Sequence, residues 1–227
     1  MLVAVGTGPA GAAPSRGRVA VQPTQALAIL LDSHTAMSAP DEGSSALELV
    51  RARRPITEVR TVLPVIGHEL GADGVEWLRV LLPGRPNGHK GWIRLRATRA
   101  ALTNWHIVVD TSSRGVTVYQ HGRSVRTFKA IVGTPATPTP QGRFFVEEVL
   151  QLRAGDVGAP YALALSARSD VLQQFGGGPG QIGLHGLRNV GGVLGSAASH
   201  GCVRLDNAAM RWLVIRIGPG VPVTIKR

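Results

Sequence analysis

Glycine and proline interrupt this chain so often that a helical bundle is disfavoured. The 227 residues include 29 glycines and 15 prolines, and few segments show the apolar spacing of an amphipathic helix. Short runs rich in Val, Ile, Leu and Thr lie between these turn residues, a pattern that is typical of β-strands. The sequence therefore predicts a mainly β fold with many turns.

The first 45 residues are rich in Ala, Gly, Pro and Ser, and we expect them to form a flexible N-terminal region and linker. Residues 25–31 favour a helix, and residues 38–45 have the composition of a linker. Residues 1–17 combine a short apolar stretch with small residues like those of a secretory cleavage site, without the positive charge that begins a signal peptide. We interpret them as a signal-peptide remnant, with a plain flexible tail as the alternative.

A series of short apolar runs follows, at residues 59–67, 75–84 and 90–95. Strands whose turns lie about 8 to 12 residues apart are typical of small barrels. The sequence therefore predicts a small β-barrel-like module at residues 46–98. The order of its residues resembles that of the bacterial Src-homology-3-like domains.

A second domain is predicted at residues 103–227, after a short connection at residues 97–101. It begins with a meander of three strands within residues 105–132, followed by a proline-rich loop, the strand FFVEEV and a closing strand VPVTI. Its one convincing helix covers residues 207–217, because Asp206 is a good N-cap and apolar residues then recur on one face.

Cys202 is the single cysteine of the chain, so it can form no internal disulfide. The segment GLHGLRNVGGVLGSAASHGCVRL around it also contains His185 and His200. A thiol is a good nucleophile when a neighbouring base or positive charge lowers its pKa, and either histidine can be that base. The backbone N–H groups of His200, Gly201 and Cys202 can together bind a developing oxyanion.

Two other interpretations of these residues stay open. Cys202 can be a small buried side chain in a Gly-rich turn. It can also join His185 and His200 as a zinc ligand, although separations of 15 and 2 residues match no common zinc pattern. We predict no metal and no organic cofactor.

The residues around Cys202 resemble the signature of the L,D-transpeptidase catalytic domain family. A His-Gly pair is followed, thirteen residues after the glycine, by SHGCVRL. Upstream, VGTPATPTPQGRF resembles the family's Gly-x-x-x-Thr-Pro-Thr-Pro-x-Gly-x-Phe segment. The resemblance covers residues from about 104 to 226, and it implies a β-sandwich-like catalytic domain.

The resemblance also implies roles for individual residues. Cys202 is the nucleophile, and His185 is the base, oriented by the backbone carbonyl of Gly186. The oxyanion hole is backbone around the cysteine, at His200, Gly201 and Cys202.

The chain departs from the family pattern at two positions. Arg204 lies where many members have Asn, and Leu187 lies where Thr is frequent. We predict that Arg204 binds a carboxylate, either of the substrate or of the protein itself, because a guanidinium recognises carboxylates in bidentate fashion. The alternative is an arginine on a solvated strand face. Ser199, at the start of the SHGC motif, is predicted to support the site.

The net charge of +11 and a pI near 11.4 favour an anionic partner, with a solvated Arg-rich surface as the alternative. Nucleic acid is not expected, since the sequence has no basic helix, no zinc-finger spacing and no aromatic RNA-binding segment.

The resemblance implies a peptidoglycan L,D-transpeptidase that acts in the cell envelope. Such an enzyme forms 3→3 cross-links between donor and acceptor stem peptides through a cysteine thioester, lies beside anionic wall polymers and is acylated by carbapenems. The alternatives are an L,D-carboxypeptidase, a protein-anchoring transpeptidase and a non-catalytic wall-binding protein.

Overall fold

The structure, a computed structural model, describes residues 19–174 and 178–227. These residues form seventeen strands and one α-helix, which confirms the predicted mainly β fold. No helix within them is long and apolar enough to cross a membrane. The predicted signal-peptide remnant at residues 1–17 lies outside the described residues.

The first part of the chain forms one antiparallel sheet of seven strands. The strands are β1 (Gln25–Leu30), β2 (His34–Met37), β3 (Ala46–Val50), β4 (Val62–Leu70), β5 (Glu76–Leu81), β6 (Lys90–Arg94) and β7 (Thr98–Thr103). Their order across the sheet is β3-β2-β6-β5-β4-β1-β7. We call residues 19–103 the N-terminal region. Its core contains fully buried side chains such as Leu30, Leu63 and Ile93.

Three sequence expectations for this region are wrong. The predicted helix at residues 25–31 is strand β1, whose backbone hydrogen bonds are satisfied by β4 on one side and β7 on the other. The predicted linker at residues 38–45 is instead a loop that joins β2 to β3, two neighbouring strands of one sheet. The predicted connection at residues 97–101 overlaps β7. The sheet therefore begins at Gln25, so a module starting at residue 46 would separate strands that pair with one another. The likeness to Src-homology-3-like domains stays a prediction.

The second part, residues 104–227, we call the C-terminal region. Its elements are β8 (Trp105–Asp110), β9 (Gly115–Gln120), β10 (Arg123–Lys129), β11 (Val132–Gly133), β12 (Gly142–Gln151), β13 (Tyr161–Arg168), β14 (Gln181–His185), β15 (Ala197–Ser199), β16 (Val203–Arg204), α1 (Asn207–Val214) and β17 (Pro222–Lys226). Eight strands form one sheet in the order β10-β9-β8-β17-β12-β13-β14-β16, and β11 pairs with β15. The predicted three-strand meander is β8 to β10.

Helix α1 begins as the sequence predicts and ends earlier. The Asp206 side chain accepts a hydrogen bond from the Ala209 N–H at 2.7 Å, as an N-cap does. The helix ends at Val214 rather than at residue 217, because the chain then turns more tightly. The Arg216 N–H bonds at 2.8 Å to the carbonyl of Leu213, three residues earlier, instead of the residue four earlier as in an α-helix.

Strand β12 contributes side chains to both regions. Phe144 packs in the core of the C-terminal region, whereas Phe145 packs in the core of the N-terminal region, since successive strand residues point to opposite faces. The pairing of β12 with β13 shifts register between Val146 and Glu148. Both Glu147 and Glu148 then contact the N-terminal region.

Buried charges join the two regions at this strand. Arg54 forms a salt bridge with Glu147, and Arg168 Nη1 lies 3.1 Å from the other oxygen of the same carboxylate. The backbone N–H and hydroxyl of Thr57 donate to Glu148 Oε2 at 2.8 and 2.7 Å. Burial lowers the pKa of the Arg54 guanidinium, and the charge of Glu148 opposes that shift. The predicted separation of the chain into two domains stays a prediction.

Candidate active site

Alternation along two neighbouring strands brings the predicted catalytic residues to one face. Leu184 and Val203 are buried in the core and lie opposite each other in the parallel pairing of β14 with β16. His185 follows Leu184 and pairs with Arg204, while Cys202 directly precedes Val203. Because successive side chains in a strand point to opposite faces, His185, Cys202 and Arg204 share the face that turns away from the core.

This face forms one wall of a pocket of about 400 Å³. The lining residues come from several segments of the C-terminal region, and they are Val157, Ser169, Leu172, Gly180, Gln181, Ile182, His185, Asn189, Val190, His200, Cys202 and Arg204. The structure thus brings together four of the residues predicted from sequence. We call this space the cysteine pocket.

His185 is held in a defined orientation by backbone. Its Nδ1 lies 2.9 Å from the carbonyl oxygen of Gly186, so with the proton on Nδ1 the lone pair is on Nε2. Burial lowers the pKa of His185; the hydrogen bond to Gly186 raises it, and the charge of Arg204 lowers it further. The imidazole is therefore neutral at pH 7 and can accept a proton.

Two residues that sequence reasoning missed support this histidine. Gly158 has a φ of +85°, and a Cβ built on it would lie 2.4 Å from His185 Nδ1, so the close backbone approach requires glycine. The Gly158 carbonyl accepts from the Gly186 N–H at 2.7 Å. Asn207, the first residue of α1, accepts from the Leu187 N–H at 3.1 Å. Neither residue belongs to the motif, so no sequence signal pointed to them.

Cys202 is half-buried and lines the same pocket as this base. Its Sγ lies 4.0 Å from the carbonyl oxygen of Gln181. Burial raises the pKa of the Cys202 thiol, opposed by a backbone hydrogen bond with Gly183 and by the charge of Arg204. The expectation of a lowered thiol pKa is therefore wrong for the resting protein, because the loss of hydration outweighs the nearby positive charge. The resting pair is a neutral thiol and a neutral imidazole.

The turn that carries Cys202 is closed by Ser199. The buried Ser199 hydroxyl donates to the Cys202 carbonyl at 2.5 Å and accepts from the Gly201 N–H at 3.1 Å. The Gly201 N–H is thus engaged in this conformation, and its role in oxyanion binding stays a prediction. The proline-rich loop supports the turn, since the Thr134 N–H and the Thr137 hydroxyl donate to the Ser199 carbonyl at 3.0 and 3.2 Å.

His200 and Arg204 lie at opposite sides of the nucleophile in the chain, and both line the cysteine pocket. His200 is exposed. Arg204 Nη1 lies 3.5 Å from the Gly191 carbonyl. Its Nε is buried and has no hydrogen-bond acceptor in the part of the chain that the structure describes. A buried donor without an acceptor is costly, and the Arg204 side chain brings a positive charge to the pocket.

The zinc alternative is not supported by the geometry. Across residues 19–174 and 178–227, no group of three or more His, Cys, Asp or Glu side chains is arranged to hold a metal ion. His185, His200 and Cys202 therefore share a pocket without forming a metal-binding cluster.

Comparison with known proteins gives matches over the C-terminal region. The protein YkuD of Bacillus subtilis is 30% identical over 123 residues, 54% of this chain and 66% of its own length. YkuD of Bacillus licheniformis is 30% identical over 121 residues, 53% of this chain and 65% of its own length. The chain thus spans just under two thirds of each of these relatives.

Two solved structures are similar over a longer part of the chain. An L,D-transpeptidase from Mycobacterium smegmatis is 18% identical with a TM-score of 0.41, and the match covers 73% of this chain and 99% of that one. L,D-transpeptidase 3 from Mycobacterium tuberculosis, solved with a faropenem-derived adduct, is 16% identical with a TM-score of 0.47, covering 74% and 91%.

The family comparison is decisive for the C-terminal region. A sequence model of the YkuD family, the L,D-transpeptidase catalytic domain, matches residues 104–225, which is more than half of the chain and includes the whole cysteine pocket. The chain therefore belongs to the YkuD family of L,D-transpeptidase catalytic domains.

Proposed function

We propose that the protein is a peptidoglycan L,D-transpeptidase that forms 3→3 cross-links through a thioester on Cys202. The observation that carries this proposal is the placement of Cys202 and His185 in one pocket of about 400 Å³ within the segment that matches the family. A thiol next to a neutral imidazole is the arrangement needed for nucleophilic acyl transfer.

The first half of the reaction forms the acyl-enzyme. Cys202 Sγ attacks the carbonyl that links the third residue of a tetrapeptide stem to its terminal D-Ala, and the thiol proton passes to His185 Nε2. The tetrahedral intermediate then collapses, the C–N bond breaks, and D-Ala leaves with the proton from His185. A general base is required at the moment of attack, because burial keeps the thiol protonated in the resting state.

The developing oxyanion lies near the backbone that surrounds the cysteine. Since the Gly201 N–H donates to Ser199, we assign oxyanion binding first to the N–H group of Cys202 itself. Preorganised backbone donors of this kind stabilise a tetrahedral intermediate without further rearrangement. The Ser199 hydroxyl, which bonds the Cys202 carbonyl, fixes the turn that presents them.

The second half transfers the acyl group to an amine of a neighbouring stem, which regenerates the thiol and gives the cross-link. Water as the acceptor would make the protein a carboxypeptidase, and an amine of another protein would make it an anchoring enzyme. The same catalytic residues serve all three outcomes, so the product of the reaction distinguishes them.

The charge of the protein suits this substrate. Arg204 lies in the pocket with a buried Nε that lacks an acceptor within the described residues, and we assign it to a carboxylate of the stem peptide. The net charge of +11 favours residence near anionic polymers. We therefore place the protein in the cell envelope, on the outer side of the membrane.

The test is intact-mass spectrometry of the full chain incubated with purified disaccharide-tetrapeptides or with a carbapenem. We expect a covalent adduct on the wild type, a cross-linked product from the stem peptides, and complete loss of both in Cys202→Ala, which removes the only thiol. A tripeptide product without cross-links would indicate the carboxypeptidase. A wild type that remains unmodified by both reagents would favour the non-catalytic wall-binding alternative.

A further inference from the structure

The turn between β5 and β6 extends from the N-terminal region to the wall of the cysteine pocket. We propose that Arg85, in this turn, is a positioning residue for the reaction of Cys202, because it holds the backbone that forms one side of the substrate site. The identity of the substrate rests on the proposed function, whereas the contacts of Arg85 do not depend on it.

Arg85 binds three carbonyl groups of the C-terminal region. Its Nη2 donates to Ser169 O at 2.7 Å and to Leu172 O at 3.1 Å. Its Nη1 donates to Pro179 O at 2.9 Å. A planar guanidinium has fixed donor directions, so one side chain sets the distance between the stretch that begins at Ser169 and the stretch that ends at Pro179.

Asn87, two residues further along the same turn, secures the start of the first stretch. Its Nδ2 donates to Arg168 O at 2.7 Å and to Asp170 Oδ1 at 2.8 Å. Its Oδ1 accepts from the Arg168 N–H at 2.8 Å. The Arg168 backbone and the Asp170 side chain, on either side of Ser169, are therefore anchored to the N-terminal region.

The two anchored stretches meet at the pocket. The Ser169 N–H donates to Gly180 O at 2.8 Å. Gly180 has a φ of +67°, and a Cβ there would lie 2.1 Å from Leu172 O and 3.3 Å from Arg85 Nη2. No side chain can be accommodated at this crossing, so the spacing between the stretches is tight and defined.

The anchored stretches lead directly to the nucleophile. Ser169, Leu172 and Gly180 line the cysteine pocket, as does Gln181, and the Gln181 carbonyl lies 4.0 Å from Cys202 Sγ. A displacement of this wall would alter how a bulky substrate fits against the thiol, while the thiol and its base would stay in place. Arg85 thus makes the N-terminal region part of the substrate site.

The experiment compares Arg85→Ala and Arg85→Lys with Arg99→Ala, which removes an exposed arginine of β7 in the same region. Acylation of Cys202 by a carbapenem is measured against concentration, and alkylation by iodoacetamide reports thiol reactivity without a shaped substrate. For Arg85→Ala we expect kcat/KM for acylation to fall about tenfold, mainly through KM, since small displacements in a binding site have large effects on rate. Alkylation should be no slower than in the wild type, and Arg99→Ala should match the wild type.

Hydrogen exchange measures independently how firmly Arg85 holds the two backbone stretches. We expect faster exchange in Arg85→Ala for the peptides that cover residues 168–174 and 178–183. The effect should be smaller in Arg85→Lys, because the ammonium group still donates hydrogen bonds although it lacks the planar donor arrangement of a guanidinium. Unchanged acylation and exchange in Arg85→Ala would overturn the proposal. So would a parallel loss of acylation, alkylation and Tm, which would indicate a purely structural role. A wild type that no carbapenem acylates would count against the proposed function, and the exchange experiment would still decide the role of Arg85.

Discussion

The two regions of the molecule differ in what their side chains are used for. The C-terminal region matches the family from residue 104 and holds every residue that lines the cysteine pocket. The N-terminal region contributes a second core. It also contributes Arg54 and Arg85, whose side chains form a salt bridge and hydrogen bonds with the C-terminal region. The comparison teaches that the segment defined by family resemblance and the unit defined by packing do not coincide. The chemistry belongs to one region, and the shape of the site depends on both.

Histidines of the two regions should differ most strongly in their effect on activity. His185→Ala removes the proposed base, so we expect the acylation rate of Cys202 to fall by about 10² to 10⁴, the usual contribution of general acid–base catalysis. His68→Ala, an exposed histidine of β4, is the matched control and should leave the rate unchanged. The measurement is the rate of carbapenem adduct formation, followed by intact mass.

The pH dependence of the same reaction tests the electrostatics of the pocket. Burial lowers the pKa of His185 from its ordinary 6.5, so the imidazole remains a base below that pH. We expect the acid limb of the wild-type rate to lie below pH 6.5 and to be absent in His185→Ala. His200→Ala should keep the limb and lower the rate through a looser turn. If instead His200→Ala abolishes the limb and His185→Ala retains it, the base is the other histidine.

Sequence reasoning succeeded where local signals decide the structure. The meander of β8 to β10 and the start of α1 follow from turn residues, strand propensity and the N-cap Asp206. The grouping of His185 with Cys202 followed from the motif. These features depend on residues that are close in sequence, or on a pattern shared by a whole family.

It failed where long-range pairing or burial decides. Residues 25–31 have no strong strand signal, and β1 exists because β4 and β7 lie on either side of it. The sequence places Glu147 and Glu148 in the strand FFVEEV without showing that both are buried against the N-terminal region. The direction of the Cys202 pKa shift likewise depends on how completely the folded chain surrounds the thiol.

The link between the regions can be broken at Glu147, whose side chain is fully buried. Glu147→Ala leaves Arg54 and Arg168 buried without this partner, and removing one member of a buried ion pair costs about 3 to 5 kcal/mol. Lys226→Ala is the control, since the Lys226–Asp110 pair, at 2.8 Å, lies within the C-terminal region and is partly exposed. Its loss should cost less than about 1 kcal/mol. Both free energies of unfolding come from urea titration of the full chain.

A double variant shows whether charge or packing joins the regions. In Arg54→Met combined with Glu147→Leu, apolar side chains replace both members of one salt bridge, so that only Arg168 is left without its carboxylate partner, whereas Glu147→Ala leaves both arginines without it. We expect the double variant to be more stable than Glu147→Ala. Equal costs for Glu147→Ala and Lys226→Ala would mean that the buried network does not hold the two regions together.

The smallest effect on stability is expected when a fall in pH protonates His106, at the junction of the two regions. His106 of β8 lies in a cavity that is lined from the N-terminal region by Ile66 and Leu81, among others, and from its own region by Arg143. Its Nε2 lies 2.9 Å from the Thr224 hydroxyl oxygen. Burial, followed by the charge of Arg143, lowers the pKa of His106 from 6.5 to about 4.

The sign of the stability change follows from these two pKa values. Below pH 6.5 the unfolded chain binds a proton at His106 that the folded chain does not bind until about pH 4. The contribution of neutral His106 is therefore complete above pH 6.5 and is lost as the pH falls from 6.5 towards 4, by roughly 2 to 3 kcal/mol.

His106→Gln keeps a polar side chain and does not titrate, whereas His121→Gln changes an exposed histidine of the same region. Urea unfolding at pH 7 and pH 4.5 should show a smaller loss of stability for His106→Gln than for the wild type or His121→Gln. An identical loss in all three proteins would mean that His106 titrates alike in the folded and unfolded chains, and that the junction is no more sensitive to acid than the rest of the molecule.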